Sequence, residues 1–142
     1  MATGVRRLAR VMVLQTLFEA DSSGHPAGEV LARHLDEDES GIDADGAAFA
    51  RRLVFGVLGH VDELDEIIVS AAPNWPLEQM PKVDKNVLRL AIQELLYEPD
   101  VPLKAAINEA VELGKRFGSD SSSRFINGVL GTVAGKATRR RN

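Results

Sequence analysis

The stretch from Val83 to Leu130, VDKNVLRLAIQELLYEPDVPLKAAINEAVELGKRFGSDSSSRFINGVL, constrains the fold more than any other part of the chain. In its first run Val87, Leu88, Ala91, Ile92, Leu95 and Leu96 recur at helical spacing, and Leu90 adds apolar surface on the flank. Such a pattern predicts a central helix covered on most of its sides. Glu98-Pro99-Asp100 interrupts it, and a second run then sets Leu103, Ile107, Ala110 and Val111 on one face. That run stops at Gly118, a residue suited to a left-handed helix end. A third run, Ile126, Val129, Leu130 and Val133, has the same period. Asn127-Gly128 between apolar residues is also a strong hairpin signal. Because the stripe continues to Val133 and no partner strands are legible elsewhere, a helix is expected there, with Asn127 as a polar contact.

A chain of 142 residues forms one domain that buries about two-thirds of its unfolded surface. Apolar residues make up 44% and aromatics only 5%. The core must therefore come from Leu, Val, Ile and Ala, which suits packed helices better than a β-sandwich. The absence of Cys excludes a disulfide framework, a thiolate metal site and a Cys nucleophile. Residues 1–18 lack the apolar core of a signal peptide and no run approaches a membrane span, so a cytoplasmic protein with no membrane segment is expected.

Taken in order, Val5 to Ala20 predicts a first helix with Val11, Leu14 and Phe18 on one line. Arg6, Arg7 and Arg10 are the only charges before Glu19 and, at spacings of three and four, share one side of the first turns. Cations at a helix N-terminus oppose its dipole by a few tenths of a kcal/mol each, which hints at an anionic ligand; a solvated basic face is the alternative. Asp21-Ser22-Ser23-Gly24 ends this helix, and Pro26 opens a short second one through Leu35. From Glu19 to Ala48 nine acidic residues face Arg33 alone, whereas Lys136, Arg139, Arg140 and Arg141 close the chain without an acid. The net charge of −4 leaves room for local anion binding, since screening confines each field to roughly 8–10 Å. Asp36 to Gly46 is expected to be a mobile acidic linker, because it lacks the Glu in register that a calcium loop needs.

From Ala47 a long third helix should run to about Ala72, and Gly56 and Gly59 within it suggest close approach of another helix. His60 with Glu63 is the only pair on a shared face there, and a surface histidine is the simpler reading. Trp75, in Pro73-Asn74-Trp75-Pro76, should pack between two helical halves, and Pro81 should start the central helix. Glu109 and Glu112 have no nucleophile, metal-ligand set or phosphate loop beside them and are read as solvated, with Asn108 as a contact between helices. No catalytic residue, metal site or cofactor is expected. Lys115, Arg116 and Arg124 flank the Gly118 turn, where Ser119, Asp120 and Ser121 offer caps. With Phe117 or Phe125 nearby, such a helix start can hold a phosphate and stack a base, Phe117 being the better candidate for the core.

VDKNVLRLAIQELLY, DVPLKAAINEAVELGKRFG and SSRFINGVLG, linked in this order with INEAVEL and FINGVL nearly intact, resemble the carboxy-terminal half of the NusB family of transcription antitermination factors. RRLAR resembles the family's arginine-rich helix start, with Leu8 where a further Arg is common, and Trp75, Val83 and Asp84 extend the match upstream. The resemblance covers roughly Arg6 to Gly131, and with the apolar pattern it implies an all-α domain over 1–142: a compact bundle of about six or seven helices in two sub-bundles, 4–72 and 75–136; the basic tail at 138–142 is expected to be disordered as a chain end. It implies no enzyme. It implies a factor that binds single-stranded boxA RNA of ribosomal RNA operon transcripts with NusE, a small-subunit ribosomal protein, and joins the RNA polymerase elongation complex with other Nus factors. RNA contacts are then expected at Arg6, Arg7, Arg10, Lys115, Arg116, Arg124, Phe125 and Asn127, and partner contacts at Phe18, Glu78 and Asp84. A homodimer stays open. A helical interaction scaffold without direct RNA contact is the alternative, and a methyltransferase carrying a related helical domain is disfavoured for want of a methyl-donor fold.

Overall fold

The computed structural model describes the backbone of residues 3–141 and the side chains of residues 4–137. Among the described residues there are six α-helices and no strand: α1 Thr3–Ser23, α2 Ala27–Asp36, α3 Ala44–Ala71, α4 Lys82–Tyr97, α5 Leu103–Phe117 and α6 Ser122–Arg141, with a 3-10 turn at Leu77–Gln79 between α3 and α4. None of the described helices is long and apolar enough to cross a membrane. The chain divides into two compact units, Met1–Gly59 and His60–Asn142. The division falls inside α3 rather than at the Pro73–Trp75 break. It coincides with His60, whose backbone (φ −120°, ψ 16°) leaves the helical region.

In the first unit α1 ends where Gly24 adopts φ 79° and its N–H donates to the Ala20 carbonyl at 2.9 Å, the left-handed stop that glycine tolerates best. Pro26 follows at φ −58° and opens α2, as a residue with fixed φ and no N–H should. α1 packs against α2, and Val13, Leu14, Leu17, Val30 and Leu31 are buried together with Phe49, Leu53 and Val54 of α3. The acidic segment is a built turn. Asp38 Oδ1 accepts from the Ser40 hydroxyl at 2.6 Å and the Ser40 N–H at 3.2 Å, and Oδ2 accepts from the Ile42 N–H at 3.0 Å, while Gly41 supplies φ 83°. Asp43 then caps α3 by accepting from the Gly46 N–H at 2.8 Å. For this reason α3 begins at Ala44, ahead of the Ala47 expected from periodicity.

In the second unit α4, α5 and α6 pack on one another. α4 buries Val87, Leu88, Leu90, Ala91, Ile92 and Leu95 completely, as its apolar pattern requires. Ala106, Ala110 and Leu113 of α5 and Ile126, Val129, Leu130 and Val133 of α6 are also buried. Only a helix places those four α6 residues on one side, and burying them outweighs the local turn chemistry of Asn127-Gly128. α6 continues to Arg141, past Thr138, where order was expected to end; the side chains of that basic tail lie outside the described residues.

The glycines correct two further expectations. Gly118 ends α5 in extended backbone (φ −97°, ψ −167°), not in the left-handed region. Glycine is needed there for space: a Cβ would stand 2.8 Å from the Gly114 carbonyl oxygen and closer still to Ser122 Oγ. The close helix approach expected at Gly59 is absent, with no atom within 4 Å of a built Cβ, and occurs at Gly114, whose Cβ would meet Ile126 Cδ1 at 2.7 Å. Gly118→Ala should therefore lower stability by about 1–3 kcal/mol through overpacking, whereas Gly59→Ala should be neutral or stabilising by up to about 1 kcal/mol. Urea unfolding midpoints measure both, and equal shifts would remove the steric account of the α5–α6 corner.

Candidate nucleic-acid interface

In the first unit the cationic start of α1 is only partly a surface. Arg7 is exposed and Arg6 half-buried, while Arg10 is 3% exposed. The guanidinium carbons of Arg6, Arg10 and Arg52 lie 5.8, 5.6 and 5.4 Å from the centroid of the Phe49 ring, within cation–π range. Phe49 itself is fully buried. Spacing of four residues brings Arg6 and Arg10 to one ring, as the helix predicted. Arg52 was not legible as a partner, because only the approach of α3 to α1 joins them; the Phe49–Arg52 spacing of three was the available hint. Arg6 Nε is buried and donates to no acceptor among the described residues.

In the acidic flank Glu19 and Asp38 are engaged internally. Glu19 is bonded by the Arg33 guanidinium and its second oxygen lies 3.2 Å from His34 Nε2, so α1 is tied to α2. The Arg33 hydrogen bond holds the Glu19 carboxyl below its usual range, and the Ser40 hydroxyl, followed by backbone N–H groups, does the same for Asp38. Phe18, an expected partner contact, is 40% exposed.

In the second unit the expected contacts gather around the α5–α6 corner. Ser122, fully buried as the first residue of α6, donates its hydroxyl to Asp84 Oδ1 at 2.6 Å and accepts from the Ser119 N–H at 2.9 Å. Asp84 is 3% exposed; it is an internal strut between α4 and α6, which removes it from any partner surface, whereas Glu78 on the 3-10 turn is exposed. The corner turns Lys115, Arg124 and Asn127 into one hollow of about 500 Å³ that Asn108 and Ser123 also line. Asn108 and Asn127 are exposed, so their amides face this hollow and are not contacts between helices. Lys115 meets Glu112 at 3.2 Å with both side chains about 60% exposed, a pairing worth little in water. Arg124 also lines an adjoining hollow of about 390 Å³ with Trp75, Phe125 and Gly128. Trp75, expected to be packed away, is 41% exposed and lies 5.0 Å from Phe125. Arg116 stands apart, its guanidinium 4.8 Å from the Phe117 ring. Neither Phe117 nor Phe125 is fully buried.

His60 is not a plain surface histidine. Its Nδ1 is 3.0 Å from Gln93 Oε1, its ring stacks on Tyr97 at 4.0 Å, and the Tyr97 hydroxyl donates to Glu63. With the bidentate Arg89–Asp65 pair at 2.8 and 2.9 Å, these contacts fasten the second half of α3 to α4. Among the described residues no group of three or more His, Cys, Asp or Glu could hold a metal ion. Apart from Glu112, which lines the Lys115 hollow and meets that lysine, the chemistry offered by the exposed sites is cationic, amide and aromatic, which suits a polyanion bearing flat bases.

The NusB family model matches residues 7–135. This chain belongs to the NusB family. Over 134 residues it is 52% identical to the transcription antitermination protein NusB of Roseiflexus castenholzii, covering 93% of each chain. Over 130 residues it is 55% identical to that of Chloroflexus aggregans, covering 90% of this chain and 85% of the relative. T. maritima NusB shares its fold with a TM-score of 0.88 at 34% identity, over 96% of this chain and 95% of that one. A chain in a crystal structure of antitermination factors NusB and NusE in complex with dsRNA matches in fold, with a TM-score of 0.85 at 24% identity over 95% of this chain and 99% of that one.

In this family member the acidic turn carries a pH signature. The Asp38 carboxyl is depressed in the folded state, so its contribution is complete above the ordinary value of 3.8 and is lost as pH falls through the lower folded value. The difference in urea midpoint between the native chain and Asp38→Asn should therefore be largest at neutral pH and shrink as the solution is acidified below 3.8. A difference that widens on acidification would reverse the assignment.

Proposed function

We propose that the protein is a transcription antitermination factor that binds boxA RNA of ribosomal RNA operon transcripts together with NusE and joins the RNA polymerase elongation complex with other Nus factors. The observation that carries this reading is the family match over residues 7–135, with relatives about half identical over nearly the whole chain that bear the name transcription antitermination protein. The solved assembly of antitermination factors NusB and NusE with dsRNA, which contains the same fold, supports RNA as the class of ligand and NusE as the partner. The protein catalyses no reaction in this reading, and it works in the cytoplasm, where the transcript is made. Phosphates pair with Arg7 and Arg6 in the first unit and with Lys115 and Arg124 in the second, and unstacked bases are read at their edges. Net acidic charge, with Phe18 and Glu78 exposed, suits a basic ribosomal partner.

The rival, a helical scaffold without direct RNA contact, draws on the 3% exposure of Arg10. A salt titration of labelled boxA-like RNA, with and without NusE, separates the two. Arg7→Ala and Arg124→Ala should each weaken binding and flatten the plot of log affinity against log salt by up to about 0.7 per lost phosphate contact. Arg10→Ala should act mainly by lowering the unfolding midpoint. Unchanged affinity and slope in the first two variants would favour the scaffold.

A further inference from the structure

We propose that Trp75 forms, with Phe125, a platform on which one unpaired base of the bound RNA strand stacks while Arg124 holds the adjoining phosphate. The inference rests on the RNA-binding reading above and names how one part of that surface works. Trp75 is the only tryptophan in the chain, and at 41% exposure it is not spent on the core. Its backbone is nonetheless restrained: it sits between Pro73 and Pro76, whose rings restrict the chain, and its backbone N–H donates to the Ala72 carbonyl at 3.1 Å. A preformed aromatic of this kind loses little freedom when a ligand arrives.

Phe125 stands on α6, next to buried Ile126 and one turn after buried Ser122. The two rings lie 5.0 Å apart and are tilted by 45°, so they meet at an angle and are not stacked on each other, and the 41% exposure of Trp75 leaves surface for a third ring. The hollow beside them, about 390 Å³, falls within the range of about 300–1,000 Å³ typical of small-ligand sites. Gly128 lines this hollow with no atom within 4 Å of a built Cβ, which leaves a smooth wall for a flat group.

The lining determines which flat group. It contains Arg124 and no carboxylate, and Arg124 continues into the hollow of Lys115, Asn108 and Asn127, where the one carboxylate, Glu112, is met by Lys115. An apolar side chain of a basic protein would meet repulsion here. A nucleotide places its base on the rings and its phosphate on the guanidinium, and the next nucleotide continues toward Lys115 and the amides. Stacking accepts any base, so the platform adds affinity and leaves base choice to the amide-lined hollow.

The test uses a labelled single-stranded boxA-like RNA with NusE present, reading fluorescence anisotropy of the label and tryptophan emission in one titration. Trp75→Phe supplies the background from NusE and keeps a ring at the site. Expected are a change in Trp75 emission that saturates with the anisotropy and a Trp75→Ala affinity lower by roughly 5- to 150-fold. The salt slope in Trp75→Ala should be unchanged, because no phosphate contact is lost, and Trp75→Phe should recover most of the affinity. RNA binding that leaves Trp75 emission unmoved, with Trp75→Ala binding as tightly as the native chain, would overturn the platform and leave the RNA reading standing. Absence of RNA binding by the native chain with NusE would overturn that reading, and the platform with it.

Discussion

The hydrogen bond from Ser122 to Asp84 is the constraint on which the second unit depends. Both groups are buried, and a carboxylate taken out of water without a donor is costly enough to force the fold to supply one. Meeting that need fixes where α6 starts along α4, and the start of α6 determines which of its residues turn inward. Ile126, Val129 and Leu130 go to the core, so Arg124 and Asn127, offset along the same helix, must face out. Gly118 takes part because no side chain fits beside Ser122. The outward chemistry of α6 is thus set by an inward requirement.

The first unit solves a different problem. Three of its arginines, Arg6, Arg10 and Arg52, converge on the buried Phe49 ring, and the degree to which each also reaches water sorts half-buried Arg6 from buried Arg10. Its acids are occupied elsewhere, Glu19 by Arg33 and Asp38 by its own turn. A net charge of −4 therefore says little about any one patch, because several of the carboxylates, Glu19, Asp38 and Asp43 among them, are engaged locally and screening limits their reach.

The helices were legible where apolar periodicity was long. α4 reads directly from Val87 to Leu96, and α6 was recoverable against the Asn127-Gly128 turn signal because four buried residues share its inner face. What escaped depended on contacts between distant segments. Nothing in the residues around Gly118 distinguishes a left-handed stop from an extended one; the difference is the Ser122 side chain arriving from α6. Trp75 was expected to be buried because tryptophan usually is, yet the two prolines beside it set a turn that displays it. Asn108 and Asn127, read as ties between helices, are exposed because Ala106, Ala110 and Ile126 already make those contacts. Arg10 and Asp84 looked like surface charges, and burial with a partner is the one fate that charge patterning cannot announce. The acidic segment was read as a linker by composition, whereas its order comes from individual acceptors at Asp38 and Asp43.

The departure of His60 from helical dihedrals has a consequence for how α3 opens. A helix normally shares its fate along its length, since each turn supports the next. Here the residue that breaks the regular geometry also marks where the two compact units meet in sequence, and the turns after it are fastened to α4 by Gln93, Arg89 and Tyr97. Amide protons before Gly59 and after His60 therefore belong to separate cooperative blocks, and slow deuterium uptake along this single helix should fall into two classes.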